Sequence, residues 1–159
     1  MALLTPEQCR AQCRVDGEYA DTELADLLVS AEAAASAYLN CATFDAQAAL
    51  DAALEALPGQ AAAARASYAA ALAAADAEPD EQKAQTMRMV AEQRLANANL
   101  AGQRVLYGIV ADGSILAAVR LILGHLWANR EAVVVGDTAT EIPMGAVHLL
   151  RPYRRVQSP

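Results

Sequence analysis

The side chains best able to do chemistry in this sequence are three cysteines and two histidines. Cys9 and Cys13 stand four residues apart, which places both thiols on one helix face, and with Cys41 and a histidine they could surround a metal ion. The sequence has no Cys-x-x-Cys and no closely paired histidines, and a free cysteine usually packs as a small apolar side chain. We therefore predict that the cysteines belong to the core and that the protein holds no metal or other cofactor.

The two histidines are isolated from any recognisable catalytic pattern. His125 lies in an apolar stretch beside Trp127, and His148 lies near the C-terminus. The sequence contains no Gly-x-Ser-x-Gly elbow, phosphate-binding glycine loop or His-Glu-x-x-His. A group of carboxylates at residues 16–23 is typical of a solvated helix N-terminus. The sequence predicts no catalytic site, so we do not expect an enzyme.

The composition favours a helical protein with a modest core. Of the 159 residues 55% are hydrophobic, but only 4% are aromatic and alanine supplies much of the remainder. Alanine favours helix and buries little area per residue. No apolar run is long enough for a membrane span, and the N-terminus does not resemble a signal peptide, so we expect synthesis and retention in a cytosol.

The net charge of −7 argues against a protein that neutralises nucleic-acid phosphates over a broad surface. The exception is local, because Arg151, Arg154 and Arg155 form a small basic cluster close to the C-terminus. Such a cluster would suit either nucleic acid or an acidic groove on another protein.

Two helices are predicted at the N-terminus. In the first, Thr5 is the predicted N-cap, Pro6 suits the first helical position and Gln8 completes a capping box, so the helix should run to about Arg14. In the second, Asp21 or Thr22 is the predicted cap, and apolar residues at helical spacing continue to about residue 40.

Residues 45–105 have a different character and predict an inserted helical hairpin. Apolar residues follow a heptad-like pattern from Leu50 to Ala75, with Pro58-Gly59 as the only internal break. Glu78-Pro79-Asp80 indicates a turn and a restart, after which a second long helix should extend to Gly102 or beyond. The alternative interpretation is a disordered, alanine-rich segment, but the apolar periodicity favours an ordered antiparallel hairpin.

The last third predicts the core helix and the main contact surfaces. Asp112-Gly113-Ser114 can cap a strongly apolar helix of about Ser114 to Arg130, which we expect at the centre of the core. The triplet Asn129-Arg130-Glu131 either caps the end of this helix or positions the strand and loop after it. Ala132–Val135 is predicted to form a short strand without a partner in the chain, which indicates contact between subunits.

These elements together predict an all-α fold. It is a small helical bundle with an inserted long antiparallel alanine-rich hairpin, one short strand and an extended C-terminal tail. The predicted organisation is a connector core at residues 1–44 and 106–150, the hairpin at 45–105 and a C-terminal tail at 151–159. A last short helix should begin at Pro143-Met144-Gly145.

Three stretches of this sequence resemble the head-tail connector, or adaptor, proteins of long-tailed bacteriophages. They are Leu4–Asp16 with the following helix, the segment Ala118–Val135 containing His-Leu-Trp-Ala-Asn-Arg-Glu, and the ending Ile142–Arg154. The resemblance covers roughly residues 3–42 and 109–155 and rests on the order and spacing of these stretches. Residues 45–105 depart from the family pattern, so the resemblance implies nothing about the hairpin.

The resemblance implies a structural virion protein at the neck, where the head meets the tail. Its copies would form a ring, commonly of twelve, beneath the portal protein and above a head-tail stopper or tail-terminator protein. Double-stranded DNA would pass through the ring without sequence-specific contact, and no membrane would be involved. The acidic balance suits such a conduit, because a negative wall repels the duplex.

The resemblance also suggests roles for particular residues. The segment that would dock on the portal comprises Arg151, Pro152, Tyr153, Arg154, Arg155 and Val156. The strand and loop that would contact neighbouring subunits comprise Val133, Val134, Val135, Gly136, Asp137, Thr138, Glu141 and Pro143.

Two other functions remain open from the sequence. One is a helical DNA-packaging or nucleic-acid-binding accessory protein that uses the basic tail, for which salt-dependent duplex binding would be expected. The other is a cysteine-based metal or redox protein, which metal content and thiol titration would reveal.

Overall fold

The computed structural model describes residues 2–129 and 143–155, and its helices confirm the predicted all-α class. The helices of these two ranges are α1 (Pro6–Cys13), α2 (Asp21–Leu39), α3 (Gln47–Asp76), α4 (Glu81–Leu106), α5 (Gly113–Ala128) and α6 (Met144–Leu150), followed by a 3₁₀ turn at Arg151–Tyr153. None of them is long and apolar enough to cross a membrane.

The chain divides into two compact units. The first comprises the described residues of Met1–Gln47 and Gly108–Pro159, and the second comprises Ala48–Tyr107. The first unit is therefore built from two separate parts of the chain, while the second is a single continuous segment that corresponds to the hairpin predicted at 45–105.

Helix α5 is the centre of the first unit, as its apolar sequence predicts. It packs against α1, α2 and α6, and α6 also contacts α2. Its inward face contributes Ile115, Ala118, Val119, Ile122 and Leu123, all of them buried. Burial of such aliphatic side chains is the main stabilising contribution available to a small helical unit.

Side-chain caps set the starts of α1 and α5 in this unit. Thr5 and Gln8 form the predicted capping box, with Thr5 Oγ1 3.3 Å from the Gln8 nitrogen and Gln8 Oε1 3.0 Å from the Thr5 nitrogen. Asp112 caps α5 by accepting hydrogen bonds from the backbone nitrogens of Ser114 and Ile115, each at 3.0 Å.

The predicted cap of α2 was wrong. The N-cap residue is Ala20, which has no side-chain cap, and neither Asp21 nor Thr22 takes that position. The Asp21 carboxylate instead accepts a hydrogen bond from Arg10 Nη1 at 2.6 Å, which ties α1 to the start of α2. A local capping rule could not foresee this ion pair between helices.

A two-stranded parallel ladder, which the sequence pattern did not predict, joins the two parts of the first unit. Strand β1 (Thr43–Phe44) pairs with β2 (Ile109–Val110), with Thr43 opposite Ile109 and Phe44 opposite Val110. These strands flank the segment that forms the second unit. The strand that was predicted at Ala132–Val135 lies outside the described residues.

The second unit is a pair of long helices joined by a short turn, as the periodicity predicts. Asp80 caps α4 by accepting from the backbone nitrogens of Gln82 and Lys83. At this turn Lys83 Nζ lies 2.5 Å from Glu78 Oε2. Pro58 lies inside α3, which continues through it.

Candidate functional site

The predicted docking segment, as far as the structure describes it, follows α6 and lies against the first unit. Tyr153 donates its hydroxyl hydrogen to Asp112 Oδ2, so the 3₁₀ turn is joined to the N-terminus of α5. The backbone nitrogen of Arg155 donates to the Leu39 carbonyl at 2.9 Å, which joins the segment to the end of α2. Arg151 to Arg155 are thus positioned by two helix termini, while Val156 lies outside the described residues.

The end of α2 is shaped to receive this segment. Asn40 adopts a left-handed conformation with φ of 58°, which ends the helix. The Leu39 carbonyl then accepts the Arg155 nitrogen, and Asn40 Nδ2 lies 3.5 Å from the Arg155 carbonyl. Beside them the Arg154 guanidinium stacks over the Tyr38 ring at 5.3 Å from its centroid, a cation–π contact.

The three arginines of this segment give the unit a small basic surface. Arg151, Arg154 and Arg155 are all exposed, and within the described residues none of them forms a salt bridge with a carboxylate. Their guanidinium groups remain able to bind carboxylates or phosphates of another molecule in the bidentate manner typical of arginine. We call these three residues the arginine surface.

Asp112 links this surface to the core helix. The Tyr153 hydroxyl and the backbone nitrogens of Ile115 and Ser114 donate hydrogen bonds to its carboxylate and lower its pKa, the Tyr153 bond having the largest effect. One side chain therefore caps α5 and anchors the turn from which the arginine surface projects. The sequence indicated the cap, but a bond between residues so distant in the chain was not predicted.

The helix-end triplet is described only at its first residue. Asn129 ends α5, and its Nδ2 donates to the His125 carbonyl at 3.0 Å and lies 3.2 Å from His125 Nδ1. These bonds satisfy groups at the helix C-terminus, so Asn129 is the C-cap residue of α5, while the role of the triplet as a whole stays a prediction. Arg130 and Glu131 lie outside the described residues.

Most of the predicted strand and loop between subunits also lies outside the described residues. This applies to Val133, Val134, Val135, Gly136, Asp137, Thr138 and Glu141. Pro143 is described: it is the N-cap residue of α6, and its carbonyl accepts from Ala146 at 2.8 Å and Val147 at 3.1 Å. Its intersubunit role stays a prediction.

The cysteines occupy the packing positions that the sequence predicts for them. Cys9 and Cys41 are buried among the apolar residues of the first unit, and Cys13 is half-buried against the same cluster. Burial raises the pKa of each thiol, as expected for inert core cysteines. Among residues 2–129 and 143–155, no three His, Cys, Asp or Glu side chains are grouped so that they could hold a metal ion.

A polar recess that the sequence did not reveal lies between α1 and α5. It has a volume of about 320 Å³ and is lined by Gln8, Ala11, Gln12 and Arg120. A side-chain carbon added at Gly124 would lie 3.1 Å from Gln12 Nε2, so the small residue there leaves room for the glutamine. The helical pattern placed Arg120 in the core helix without indicating this recess.

Comparisons of the whole chain with protein-family models, with curated proteins and with solved structures gave no match.

Proposed function

We propose that this chain is a structural subunit of a phage neck, a head-tail connector that assembles into a ring below the portal. The ring would join the DNA-filled head to the stopper and tail and let double-stranded DNA pass. The sequence resemblance is the source of this proposal, and the packing of the first unit is the structural observation that supports it.

The supporting observation is that the separate stretches of resemblance form one unit. Residues 3–42 and 109–155 are far apart in sequence, yet α2 from the first stretch packs against α5 and α6 from the second. The intervening residues, which depart from the family pattern, form a unit of their own. A family fold interrupted by an insertion would produce this arrangement.

The arginine surface supports the proposed docking on the portal. It carries three exposed guanidinium groups on a chain whose net charge is −7, so it differs in charge from the molecule as a whole. The segment that carries it is held at two points, by the hydrogen bond from the Arg155 backbone nitrogen to the Leu39 carbonyl and by the one from the Tyr153 hydroxyl to Asp112. A preorganised basic surface loses less conformational entropy on binding than a flexible tail would.

The proposal is tested by assembly with a portal. The gene's neighbours are searched for a portal gene, its purified product is mixed with the purified chain, and the mixture is examined by electron microscopy and by co-sedimentation. We expect a ring of copies coaxial with the portal. A chain that neither forms rings nor binds this portal would contradict the proposal.

The arginine surface has its own test within that assay. Replacing Arg151, Arg154 and Arg155 by Ser should weaken portal binding, because exposed charges contribute to steering and to interfacial ion pairs. The matched control is a pair of single variants, Arg155→Ser within the surface and Arg14→Ser at an exposed position of the first unit outside it. Equal binding by the two variants would show that docking does not use this surface.

A second candidate function also draws on the arginine surface. A nucleic-acid-binding accessory protein would use the same exposed guanidinium groups on phosphates. Three phosphate contacts would make the logarithm of the affinity fall with the logarithm of salt at a slope of about −3. A duplex-binding titration at several salt concentrations distinguishes the two, since the connector proposal expects no strong duplex binding by the isolated chain.

A further inference from the structure

The hairpin of the second unit contains grooves between its own two helices. The larger has a volume of about 640 Å³ and the smaller about 180 Å³. Ala64 and Ala98 line both of them. The other lining residues of the larger groove are Leu57, Gln60, Ala61, Arg65, Asn99, Ala101, Gly102, Gln103, Val105 and Leu106. The floor is therefore mainly alanine and other apolar side chains.

The grooves arise because small side chains line much of the seam where the two helices face one another. Approaches of 8 Å or less between Cα atoms of α3 and α4 are rare. A large side chain can reach across from one helix to the other. Leu57 of α3 does so: its Cδ2 atom lies 3.8 Å from the point that a Cβ on Gly102 of α4 would occupy. Alanine is too short to do the same, so grooves remain open where Ala61, Ala64 and Ala71 line the seam.

The hairpin accordingly buries little of its own surface. Among the residues of Ala48–Tyr107 only Leu50, Ala75, Ala84 and Ala91 are buried. Larger apolar side chains of α4 are exposed instead, including Met89 at 63% and Leu106 at 58%. Long helices depend on tertiary packing of an apolar face for most of their stability, and a single antiparallel partner with an open seam provides little of it.

The seam has the heptad spacing of packed helices. On α3 the groove and seam positions 50, 54, 57, 61, 64, 68, 71 and 75 alternate steps of four and three, and on α4 positions 84, 88, 91, 95, 98, 102 and 105 do the same. This heptad repeat keeps one stripe of each helix facing inward over its whole length. The stripe is long enough to receive further helices along its full extent.

The charges on the two helices identify a fitting occupant. Helix α3 carries three acidic residues and one arginine, so its net charge is −2, whereas α4 carries four basic and two acidic residues and has a net charge of +2. Near the turn Arg88 bridges Asp76 and Glu81 at 3.1 and 3.3 Å. Farther along, Glu55 of α3 and Arg94 and Arg104 of α4 have no ion-pair partner within the described residues.

We propose that the grooves receive the hairpin of a second copy of this chain, with α3 of one copy beside α4 of the other. In this arrangement the acidic helix of each copy faces the basic helix of its neighbour, whereas pairing α3 with α3 or α4 with α4 would bring like charges together. The four helices form a bundle, and side chains of the second copy fill the seam that alanine leaves open.

The test compares two alanine-to-glutamate changes on the same helix of the full-length protein. Ala64→Glu places a carboxylate in the floor of both grooves, whereas Ala66→Glu places it at an exposed position of α3 that lines neither. Sedimentation velocity over a range of concentrations measures the association of each protein. We expect the wild type and A66E to associate alike and A64E to associate at least about tenfold more weakly, because it buries an unpaired charge.

A second pair of variants tests whether weaker association reflects lost pairing rather than unfolding of the hairpin. In one variant Arg94, which lines the smaller groove, is replaced by Glu, and in the other Glu55 of the acidic helix is replaced by Arg. Each change alone removes charge complementarity and leaves the alanines of the seam in place. Each should self-associate more weakly, and the double variant that carries both reversals should recover association. Circular dichroism checks that helix content is unchanged.

Two results would overturn the inference. One is a wild-type chain that stays monomeric at all concentrations, and the other is equal association of A64E and A66E. The inference is independent of the proposed function: a chain could pair through its hairpin without binding a portal, and portal binding could persist in A64E. Failure of the hairpin pairing can therefore be told apart from failure of the proposed portal binding.

Discussion

Asp112 shows how one carboxylate can serve two parts of the first unit. It accepts hydrogen bonds from Ser114 and Ile115 at the start of α5 and from the Tyr153 hydroxyl at the turn after α6. Deleting the carboxylate would remove all three bonds, so the consequences for helix and turn could not be separated. Removing the tyrosine hydroxyl affects the turn alone.

Tyr153→Phe should therefore destabilise the protein modestly. The variant loses one hydrogen bond to a charged acceptor near the surface, which corresponds to about 0.5–1.5 kcal/mol of unfolding free energy. Urea denaturation followed by circular dichroism measures the difference. Tyr19→Phe is the matched control, because Tyr19 is 83% exposed and the loss of its hydroxyl should not change the free energy of unfolding. A loss of equal size in both variants would contradict the role assigned to the bond.

The effect of Tyr153→Phe should also depend on pH. The hydrogen bond lowers the pKa of Asp112 in the folded state below its unfolded value. A group of this kind adds stability above its unfolded pKa, about 3.9, and loses that stability as the pH falls through the lower folded pKa. The difference in unfolding free energy between wild type and variant should thus have its full size at pH 7 and become smaller below about pH 4. A difference that grows with acidity would refute the assignment.

The reactivity of the cysteines tests whether they are core residues or part of a metal or redox site. Because Cys9 and Cys41 are buried whereas Cys13 is only half-buried, a neutral-pH thiol reagent should modify Cys13 first and the other two only on unfolding. The rates are measured with and without denaturant, and metal content is measured on the same sample. Rapid native modification of all three thiols would instead favour the cysteine-based metal or redox function.

At the scale of elements, α3 carries a proline in its interior. Pro58 has no N–H, so the carbonyl four residues earlier lacks its helical partner, and the ring disfavours a straight helix. The helix persists because residues on both sides favour it strongly. The Pro58 step also borders the larger groove at Leu57 and Gln60.

Pro58→Ala should stabilise the hairpin. A proline inside a helix costs about 3 kcal/mol relative to alanine, so its removal should raise the melting temperature of the second unit. Gly59→Ala is the comparison, for which about 1 kcal/mol is expected from helix propensity alone. Thermal unfolding followed by circular dichroism gives both values. No gain from Pro58→Ala, or a smaller gain than from G59A, would mean that the proline at this position is itself stabilising.

Local signals in the sequence predicted the helices well and the contacts between elements poorly. The Thr5 box and the Asp112 cap depend on neighbours within three residues, so their patterns are visible in the sequence. The two-residue strands at 43–44 and 109–110 are too short for a periodicity signal. The α2 start was mispredicted because Arg10, on another helix, binds Asp21.

The candidate site follows the same division. The arginines were recognisable from composition, since three of them cluster near the end of an acidic chain. Their support was not recognisable: the bond from Tyr153 to Asp112 and the stacking of Arg154 on Tyr38 join residues that only the folded chain brings together. The grooves were likewise hidden, because a heptad pattern does not reveal the distance between its helices.

At the scale of the whole molecule, the paired strands make the second unit separable in principle. Partners in a parallel ladder lie about 4.8 Å apart, so the ends that flank the hairpin are close together at Thr43 and Ile109. The core of the first unit takes its buried residues from outside Ala48–Tyr107. Neither the ladder nor the core therefore needs the hairpin to be complete.

Replacing residues 48–107 by a flexible linker should leave the first unit folded. About twelve Gly and Ser residues give the crossover length that parallel strands need and reach far more than the gap between them, since each extended residue spans roughly 3.4 Å. The shortened chain should unfold cooperatively, as measured by urea denaturation, and keep its protected core amides in hydrogen exchange. Adding Ile109→Pro to it should destabilise it, because Ile109 donates to the Ala42 carbonyl at 3.0 Å and proline cannot. A shortened chain without cooperative unfolding would mean that the hairpin is required for the core, and the interpretation of it as an insertion would fail.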